Sequence, residues 1–411
     1  MEFFKVKTVE ETYQLIKQQI KPILPIVKKS LYEALHFVLA EDIYIKENVP
    51  NFRRSAVDGY AVKASDTFGT SESMPGFLTV TGEVKMGKTP PCDLSFGEAM
   101  YVPTGGMVPE ASDSIVMVEH CEDLNGLLNV FKQIAPGENV ISIGEDLVEG
   151  EILLTKGTRL RPQELGALAS QGIIEVSVYR KPVVGYISTG DEIVPIETVK
   201  PALGEIRDMN GMTIGAMVME WGYEFIHDGI VQDDEQELAK RSKALLEKVD
   251  CLILSGGSSV GTKDYSVNVI ESLGKPGVFV HGISIKPGKP TILAVADGKP
   301  IIGLPGHPAS AMVIFQLFAR PILNEIQGYS QEEKQLAKAR ITKNIPSAPG
   351  RTDYIRVRLF QELGEWYAEP IFGKSSLIST FVKSEGLVEV PAPNEGVQKG
   401  DQVLVRLFNK G

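Results

Sequence analysis

The feature that most constrains the fold is a regular exchange of strand and helix patterns between residues 180 and 328. Short apolar runs predict strands at residues 183–187, 224–230, 251–254, 278–280, 291–295 and 300–304. Longer amphipathic runs predict helices at residues 212–221, 235–248, 265–273 and 310–322. Strands that alternate with helices over this length indicate an α/β fold with a doubly wound, mainly parallel sheet. Such a sheet binds its ligands outside the carboxyl ends of its strands.

Polar loops follow four of these predicted strands, so we expect them at one edge of the sheet. They comprise residues 188–192, 232–234, 255–261 and 304–308. The first loop supplies two hydroxyl groups and two carboxylates, which suit a metal or ribose contact; on the motif alone, a solvated turn is favoured. Asp233 and Asp234 can bind Mg²⁺ together or cap the next helix, and without further context capping is favoured.

The glycine-rich loop is the segment Ser-Gly-Gly-Ser-Ser-Val-Gly at residues 255–261, and a helical pattern begins at Asp264. Three glycines leave many backbone N–H groups uncovered, and a loop of this kind can bind phosphate. Asp264 would then hold a metal ion that the phosphate also contacts. Alternatively, the segment is a plain glycine turn and Asp264 is a helix N-cap. The residues alone leave both interpretations open.

A compact basic segment, Lys-Pro-Gly-Lys-Pro, occupies residues 286–290. Its prolines stiffen the backbone, and Gly288 permits an unusual φ angle. Two ammonium groups held near one another repel each other unless an anion lies between them. The segment therefore predicts an anion site at Lys286 and Lys289, with two solvated surface lysines as the alternative.

Three further polar positions lie at predicted element ends. Asn210 has the sequence context of a helix N-cap, with base recognition as a secondary option, and Asp208 precedes it. The N–H groups around Pro305 and Gly306 are expected to face a phosphate. His307 alone is weak evidence for a base, because an isolated histidine there more often packs or caps.

The remaining segments predict three further parts. Capping boxes at Thr8/Glu11 and Ser30/Glu33 indicate two early helices, the second of which carries apolar residues up to position 39. Short β-rich runs at residues 77–80, 99–102, 114–118 and 127–131 indicate an inserted β domain. A charged connector is expected at residues 331–340, followed by C-terminal strands at residues 354–360, 365–369, 387–390 and 402–407. The predicted domains are residues 1–47 with 141–179, 48–140, 180–328 and 332–411.

Composition excludes several classes of protein. The net charge of −11 argues against nonspecific binding to nucleic acid. No run of 18 apolar residues occurs, and the first residues lack the order of a signal peptide, so we expect a cytoplasmic protein without membrane contact. Three cysteines and five histidines without ligand spacing make a zinc site improbable.

Seven motifs in order resemble those of the molybdopterin molybdenumtransferase (MoeA) family, which includes the gephyrin E domain. They are Asp58-Gly59-Tyr60-Ala61; Thr104-Gly105; Gly144-Glu145-Asp146; Thr189-Gly190-Asp191-Glu192; Ser255-Gly256-Gly257 with Gly261 and Asp264; Lys286-Pro287-Gly288-Lys289-Pro290; and Gly303-Leu304-Pro305-Gly306. Taken singly, the motifs of the inserted domain are typical of β-turns. The resemblance runs from about residue 5 to residue 408.

The resemblance implies an architecture and an activity. It implies a helical domain that carries the inserted β domain, the doubly wound molybdopterin-binding domain and a C-terminal β-barrel. Family members form homodimers whose cleft lies between the doubly wound domain of one subunit and the inserted domain of the other. They insert molybdate into adenylylated molybdopterin with Mg²⁺ and release AMP. The resemblance also makes other proteins of molybdenum cofactor biosynthesis expected partners.

The resemblance assigns the following roles. The expected catalytic residues are Asp58, Thr104, Asp146, Glu192, Asp233 and Asp264, of which the last three hold Mg²⁺ and the first three come from the partner subunit. The expected substrate-binding residues are Ser188, Thr189, Gly190, Asp208, Asn210, Ser255, Gly256, Gly257, Ser258, Lys286, Lys289, Pro305, Gly306, Ser375 and Ser376.

Some positions depart from the family pattern. Ile141 stands where an arginine is frequent, which removes an expected anion contact. Ser258 and His307 replace a common valine and asparagine, and Arg53 and Arg54 replace an acidic residue and an asparagine. We expect the two arginines to supply the missing positive charge.

Two other functions remain open from the sequence. One is an enzyme that cleaves nucleotide pyrophosphates on the same doubly wound module, similar to competence-damage proteins. The other is a scaffold role of the kind that gephyrin has. The inserted domain argues against the first, and the acidic and lysine set argues against a purely structural protein.

Overall fold

The computed structural model describes residues 6–256, 265–329 and 336–408. These residues form two compact units. Unit 1 holds the described residues of 1–41, 157–161 and 175–411, and unit 2 holds residues 42–156 and 162–174. None of the described helices is long and apolar enough to span a membrane.

The described helices are α1 (Val9–Gln19), α2 (Pro162–Ser170), α3 (Met209–Glu220), α4 (Glu235–Leu246), α5 (Tyr265–Ser272), α6 (Pro308–Ile314), α7 (Arg320–Ile326) and α8 (Ser379–Val382). Short 3₁₀ turns occupy Leu31–Glu33, Ala64–Thr67 and Val118–His120, and a π-helical segment, Phe315–Ala319, joins α6 to α7.

The strands before α3 are β1 (Ile26–Ser30), β2 (Val38–Leu39), β3 (Ile43–Tyr44), β4 (Arg54–Ser55), β5 (Gly59–Val62), β6 (Gly76–Glu83), β7 (Glu98–Val102), β8 (Ser114–Met117), β9 (Cys121–Leu124), β10 (Leu127–Val130), β11 (Val140–Ile141), β12 (Ile152–Leu154), β13 (Glu175–Tyr179), β14 (Val183–Thr189), β15 (Ile193–Val194) and β16 (Ile206–Arg207). The later strands are β17 (Glu224–Val231), β18 (Cys251–Ser255), β19 (Pro276–His281), β20 (Ile285–Lys286), β21 (Ile292–Ala296), β22 (Lys299–Leu304), β23 (Leu336–Ile341), β24 (Ile345–Pro346), β25 (Thr352–Glu362), β26 (Glu365–Pro370), β27 (Gly386–Val390), β28 (Gly396–Val397) and β29 (Gln402–Leu407).

The central sheet of unit 1 has the strand order β17-β14-β18-β22-β21-β19. The pairings β14–β17, β14–β18 and β18–β22 are parallel, whereas β21 runs antiparallel to both of its neighbours. The predicted mainly parallel, doubly wound sheet is therefore confirmed.

The apolar run of β18 is buried because both faces of this sheet are covered. Cys251 and Ile253 pack into a core that includes residues of α3 and α6, whereas Leu252 and Leu254 pack with α4 and α5 on the opposite face. A strand buried on both faces lacks polar alternation, which is why these short continuous runs predicted parallel strands.

The C-terminal region of unit 1 is a closed five-stranded barrel. β25 pairs with β26 and β27, β23 pairs with β26 and β29, and β27 pairs with β29, so the circle has no open edge. The predicted C-terminal strands are confirmed, and the barrel agrees with the expected fold class.

The prediction of a charged connector at residues 331–340 is wrong for its second half. Residues 336–341 form β23, in which buried Ala339 and Ile341 alternate with exposed Lys338 and Arg340. Only one face of this strand contacts the barrel core, so its other face carries charged residues. These charges made the segment resemble a connector, although its apolar residues alternate as in a strand. Residues 331–335 lie outside the described residues.

Unit 2 contains a six-stranded sheet of order β8-β5-β7-β6-β10-β9 and the short pairs β4–β11 and β3–β12. The strand predictions at residues 77–80, 99–102, 114–118 and 127–131 are confirmed by β6, β7, β8 and β10.

The first early helix is confirmed, but the second is wrong. Thr8 caps α1, and Glu11 returns the hydrogen bond as the capping box predicts. After Ser30, which makes no side-chain cap, only the turn Leu31–Glu33 is helical. β1 and β2 instead pair with β13, a strand far along the chain. Of the apolar residues that local spacing had assigned to a helix, Val38 and Leu39 are buried in β2 instead.

Candidate functional site

Unit 1 contains a cavity of about 1440 Å³ at the carboxyl ends of its parallel strands. The loops after β14, β17, β18 and β22 form one side of it, and the 286–290 segment and the barrel form the other. The cavity therefore lies where a doubly wound sheet is expected to bind a ligand.

Most of the residues predicted to bind substrate line this cavity. They are Ser188, Thr189, Gly190, Asp208, Asn210, Ser255, Gly256, Lys286, Lys289, Pro305, Gly306, Ser375 and Ser376, and they are joined by Glu192 and Asp233. The predicted residues Gly257, Ser258 and Asp264 lie outside the described residues.

Asp208 anchors the sheet side of the cavity. Its Oδ1 accepts a hydrogen bond from the Gly211 N–H (2.9 Å), which caps α3, and its Oδ2 accepts one from Ser188 Oγ (2.6 Å). His227 Nε2 lies 3.2 Å from the same Oδ2. Burial alone would raise the pKa of Asp208, but the bonds from His227, Ser188 and Gly211 outweigh it and hold the pKa below its usual value.

The prediction that Asn210 caps the helix is wrong, because Asp208 holds that position and Asn210 lies inside the first turn of α3. The Asn210 side chain instead donates to Ser255 Oγ (3.1 Å) and to the Gly306 carbonyl oxygen (2.9 Å). Asn210 thus ties together the loops that follow β18 and β22.

Gly256 brings two of these loops into close contact. Its φ is +107°, and a Cβ atom at this position would lie 2.0 Å from the Thr189 carbonyl oxygen. Only glycine fits such a backbone, so the residue is required where the loop after β18 approaches Thr189, the last residue of β14.

Asp233 contacts a residue that the sequence analysis missed. The Tyr265 hydroxyl donates to the Asp233 carboxylate and lies 3.5 Å from Thr189 Oγ1. Burial and the bond to Asp233 raise the pKa of Tyr265 to about 12. Asp234 caps α4 through the N–H groups of Gln236 and Glu237, as predicted. The signal for Tyr265 was its place directly after Asp264, at the start of a predicted helix.

The opposite side of the cavity is basic. Its cationic side chains are Lys286, Lys289, Arg351, Arg356 and Lys374. Gly288 between the two lysines has a φ of +114°, which confirms the unusual backbone expected there. The anion site of the 286–290 segment stays a prediction, and both of its lysines line the cavity.

Arg351 and Arg356 were missed because no local motif marks them. Arg351 Nε donates to Asp353 Oδ1 (2.9 Å). Arg356 is 6% exposed, and its Nη2 donates to the Gly373 carbonyl oxygen (3.1 Å). Burial lowers the pKa of the Arg356 guanidinium from its usual value. The pairing of β20 with β25 brings these residues to the 286–290 segment.

His307 connects the end of β22 to the barrel segment with Ser375. Its Nδ1 lies 3.0 Å from Ser375 Oγ, and the Ala309 N–H donates to the Ser375 carbonyl oxygen at the same distance. His307 occupies the N-cap position of α6 without a side-chain cap, so its imidazole serves this contact instead.

In unit 2, Asp58 and Thr104 lie together. Asp58 Oδ1 accepts hydrogen bonds from the Thr104 N–H (2.8 Å) and from Thr104 Oγ1 (3.1 Å). Asp146 is exposed and its N–H donates to the Val49 carbonyl oxygen. No hydrogen bond within the described chain joins Asp146 to the other two residues.

The structure gives Arg53 a structural role. Its guanidinium donates to the carbonyl oxygens of Ser112 (2.9 Å), Pro109 (2.9 Å) and Glu110 (2.8 Å). These bonds to neutral carbonyl oxygens fix the guanidinium on the 109–112 loop and leave its positive charge in place, so the expectation that Arg53 supplies positive charge stays a prediction. Arg54 lies opposite Ile141 in the β4–β11 pair.

Two of the three predicted metal ligands are among the described residues. Across residues 6–256, 265–329 and 336–408, no group of three or more His, Cys, Asp or Glu side chains is arranged to hold a metal ion. Glu192 and Asp233 both line the cavity, and their oxygen donors suit Mg²⁺. The third predicted ligand, Asp264, lies outside the described residues.

Family models match almost the whole chain. Residues 7–172 match the MoeA N-terminal region (domain I and II), residues 185–325 match a "Probable molybdopterin binding domain", and residues 338–408 match the MoeA C-terminal region (domain IV).

Individual relatives match over most of their length. A molybdopterin molybdenumtransferase from Haemophilus influenzae is 36% identical over 385 residues, which cover 92% of this chain and 93% of the relative. One from Bacillus subtilis is 32% identical over 93% of this chain and 89% of its own. The crystal structure of a molybdopterin biosynthesis moeA protein from Pyrococcus horikoshii OT3 matches with a TM-score of 0.85 and 31% identity, covering 98% of this chain and 100% of that chain. The chain therefore belongs to the molybdopterin molybdenumtransferase (MoeA) family, a family of transferases in molybdenum cofactor biosynthesis.

Proposed function

We propose that this protein inserts molybdate into adenylylated molybdopterin in a magnesium-dependent reaction that releases AMP. The observation that carries the proposal is one cavity that is lined both by the cationic side chains of its basic side and by hydroxyl, amide and carboxylate groups. Both substrates are anions, and the nucleotide ester also offers hydroxyl groups that need hydrogen-bond partners. The names of the relatives support the same activity.

The basic side binds the negative charge. Lys286 and Lys289 both line the cavity, three residues apart in a segment that two prolines stiffen, so both ammonium groups can approach one anion. An oxyanion between them offsets their repulsion. Arg351 adds a planar donor group that suits oxyanions.

The sheet side orients the organic part of the substrate. Hydrogen bonds hold the polar side chains of this side: Ser188 donates to Asp208, and Asn210 donates to Ser255 and to the Gly306 carbonyl oxygen. Their donors and acceptors are therefore fixed before a ligand arrives. Groups fixed in advance lose little freedom on binding. Gly256, Pro305 and Gly306 bring backbone close to the same space, with Gly257 and Ser258 as their proposed continuation.

Glu192, Asp233 and Asp264 are the proposed Mg²⁺ ligands, with Asp233 oriented by Tyr265. When bound, Mg²⁺ reduces the negative charge on the phosphate that leaves. The chain's own contribution is to hold these carboxylates beside the phosphate-binding loops.

The proposal includes a homodimer, since Asp58, Thr104 and Asp146 are assigned to the site of the partner subunit. It also retains the four predicted domains, cytoplasmic localisation, other biosynthetic proteins as partners, and no nucleic acid or membrane contact. The two hydrogen bonds that Thr104 donates to Asp58 support the assignment of these residues to one site.

The test is turnover of purified full-length protein with adenylylated molybdopterin, molybdate and Mg²⁺. We expect equimolar AMP and active cofactor, and a loss of at least about 100-fold in the Lys286→Ala/Lys289→Ala variant, because two charge contacts are removed. Glu369→Gln is the control, since this carboxylate pairs with Lys343 and Arg358 outside the cavity. AMP without active cofactor would favour a pyrophosphate-cleaving enzyme, and neither product would favour a scaffold.

A further inference from the structure

We propose that Asp353 is a positioning residue that holds Lys286 and Arg351 in place for binding an oxyanion. The inference rests on the proposed function, because it concerns the basic side of the same cavity. Asp353 does not itself line the cavity, whereas both of its cationic partners do. It therefore acts on a ligand through these two side chains.

The electrostatic situation of Asp353 is unusual. The residue is 0% exposed, and burying a carboxylate is costly unless positive charge compensates it. Arg351 Nε donates to Oδ1 (2.9 Å), and Lys286 Nζ lies 3.9 Å from Oδ2. Oδ2 has no hydrogen-bond partner within the described part of the chain. The carboxylate therefore depends on two cations for its compensation, and attracts both.

Backbone pairing fixes where this attraction acts. β20 pairs with β25 in parallel, with Ile285 opposite Thr352 and Lys286 opposite Asp353. The Thr352 N–H donates to the Ser284 carbonyl oxygen (3.0 Å), and Ser284 Oγ donates to the Gly350 carbonyl oxygen (2.7 Å). These bonds join the 286–290 segment to the barrel, so Asp353 is held at a fixed place relative to Lys286.

The two cations keep donors available for a ligand. The side chains of Lys286 and Arg351 remain 59% and 40% exposed. Within the described part of the chain, only Nε of Arg351 is engaged in a hydrogen bond, which leaves both terminal nitrogens for an oxyanion. One buried negative charge between two positive groups also reduces their mutual repulsion when the site is empty.

Asp353→Asn separates positioning from the simple effect of charge. The substitution removes a negative charge near an anion site, so electrostatics alone would tighten anion binding. If Asp353 positions the cations, binding weakens instead, because the attraction that holds Lys286 is lost. We expect the Kd for molybdate, measured by calorimetry on the full chain, to rise about tenfold, as is typical when a group that orients ligands is removed.

The control is Glu369→Gln, which removes a barrel carboxylate that also pairs with a lysine and an arginine, but outside the cavity. Its Kd for molybdate should match that of the unaltered chain. An unchanged or lower Kd in folded Asp353→Asn would overturn the inference. If the Lys286→Ala/Lys289→Ala variant also binds molybdate normally, the proposed anion site itself fails, so the two failures are distinguishable.

A second variant covers the case in which Asp353→Asn does not fold. Arg351→Gln keeps the carboxylate and removes one of its two cations. Lys286 is then drawn more closely to Asp353, and Lys286→Ala should weaken molybdate binding less in this background than in the unaltered chain. If Lys286→Ala weakens molybdate binding equally in the Arg351→Gln variant and in the unaltered chain, Asp353 does not couple the two cations. That result would overturn the inference.

Discussion

Asp208 and Asp353 are both buried carboxylates at the cavity, and they are neutralised in different ways. Asp208, at 5% exposure, receives hydrogen bonds from Ser188 and from the Gly211 N–H, with His227 beside it. Asp353, at 0% exposure, has one hydrogen bond from Arg351 and a more distant Lys286. The first carboxylate is satisfied mainly by local donors, and the second mainly by charge.

This difference in partners predicts different effects of substituting Asp208 and Asp353 on stability and on ligand binding. The partners of Asp208 belong to the same sheet and helix, so its bonds stabilise the local fold. The partners of Asp353 face the cavity, so its charge bears on whatever ligand reaches them. Substitutions at Asp208 should therefore lower the free energy of unfolding, in addition to disturbing the cavity that Asp208 and Ser188 line, whereas those at Asp353 should mainly change anion affinity.

The largest stability effect is expected from Asp208→Ala. This change removes the cap of α3 and the hydrogen bond from the buried Ser188 hydroxyl to a carboxylate, which leaves Ser188 with the more distant Tyr186 hydroxyl (3.2 Å). A lost cap costs about 1 kcal/mol, and a lost hydrogen bond to a charged group costs about 1.5–3 kcal/mol. We expect the free energy of unfolding, from chemical denaturation, to fall by about 3 kcal/mol.

Asp234→Ala is the matched control for that measurement. Asp234 also caps a helix, through two backbone N–H groups of α4, but it is exposed. Its loss should cost only the cap contribution of about 1 kcal/mol. Equal losses in the two variants would mean that the buried network around Asp208 contributes nothing beyond capping.

A smaller effect on the free energy of unfolding is expected when the pH is lowered. The pKa of Asp208 lies below its usual value in the folded protein, so the folded state resists protonation more than the unfolded chain does. The stabilisation is present above the unfolded pKa of about 3.9 and is lost as the pH falls through the folded pKa. We expect denaturation curves to show a steeper loss of stability below about pH 4 in the unaltered chain than in Asp208→Asn. If stability falls equally with pH in both proteins, the charge of Asp208 does not contribute to the stability of the fold.

The two sides of the cavity also differ in how far the sequence predicted them. On the sheet side, each polar loop directly follows an apolar run, so its place at the carboxyl edge follows from local pattern. Ser188, Thr189, Ser255 and Asp233 were identified for that reason, and the cavity contains them. The exact bonds were not predictable, since which of Asp208 and Asn210 caps α3 depends on backbone geometry.

On the barrel side, the sequence identified the 286–290 segment as a candidate anion site, but it did not identify the residues that lie beside it. Arg351, Arg356 and Asp353 come from β25 and the residues before it, and they reach the lysines through the β20–β25 pairing. A two-residue strand such as β20 leaves no periodic signal in the sequence. The same limit applies to β2, a two-residue strand that pairs with β13 where a helix was predicted.

The smallest effect is expected at Asp233, a third carboxylate, which is exposed and contacts Tyr265. Because water can replace the lost partner of an exposed group, Tyr265→Phe should lower the free energy of unfolding by only about 1 kcal/mol at neutral pH. Burial and the bond to Asp233 raise the pKa of Tyr265 to about 12, so the folded protein retains this proton longer than the unfolded chain, whose tyrosines titrate near pH 10. The stability that Tyr265 contributes is therefore complete below about pH 10 and is lost as the pH rises towards 12. Denaturation at a series of alkaline pH values should bring the unaltered chain and Tyr265→Phe closer together over this interval. A gap that stays constant would mean that the Tyr265 proton is not linked to folding, and that Asp233 is oriented by other contacts.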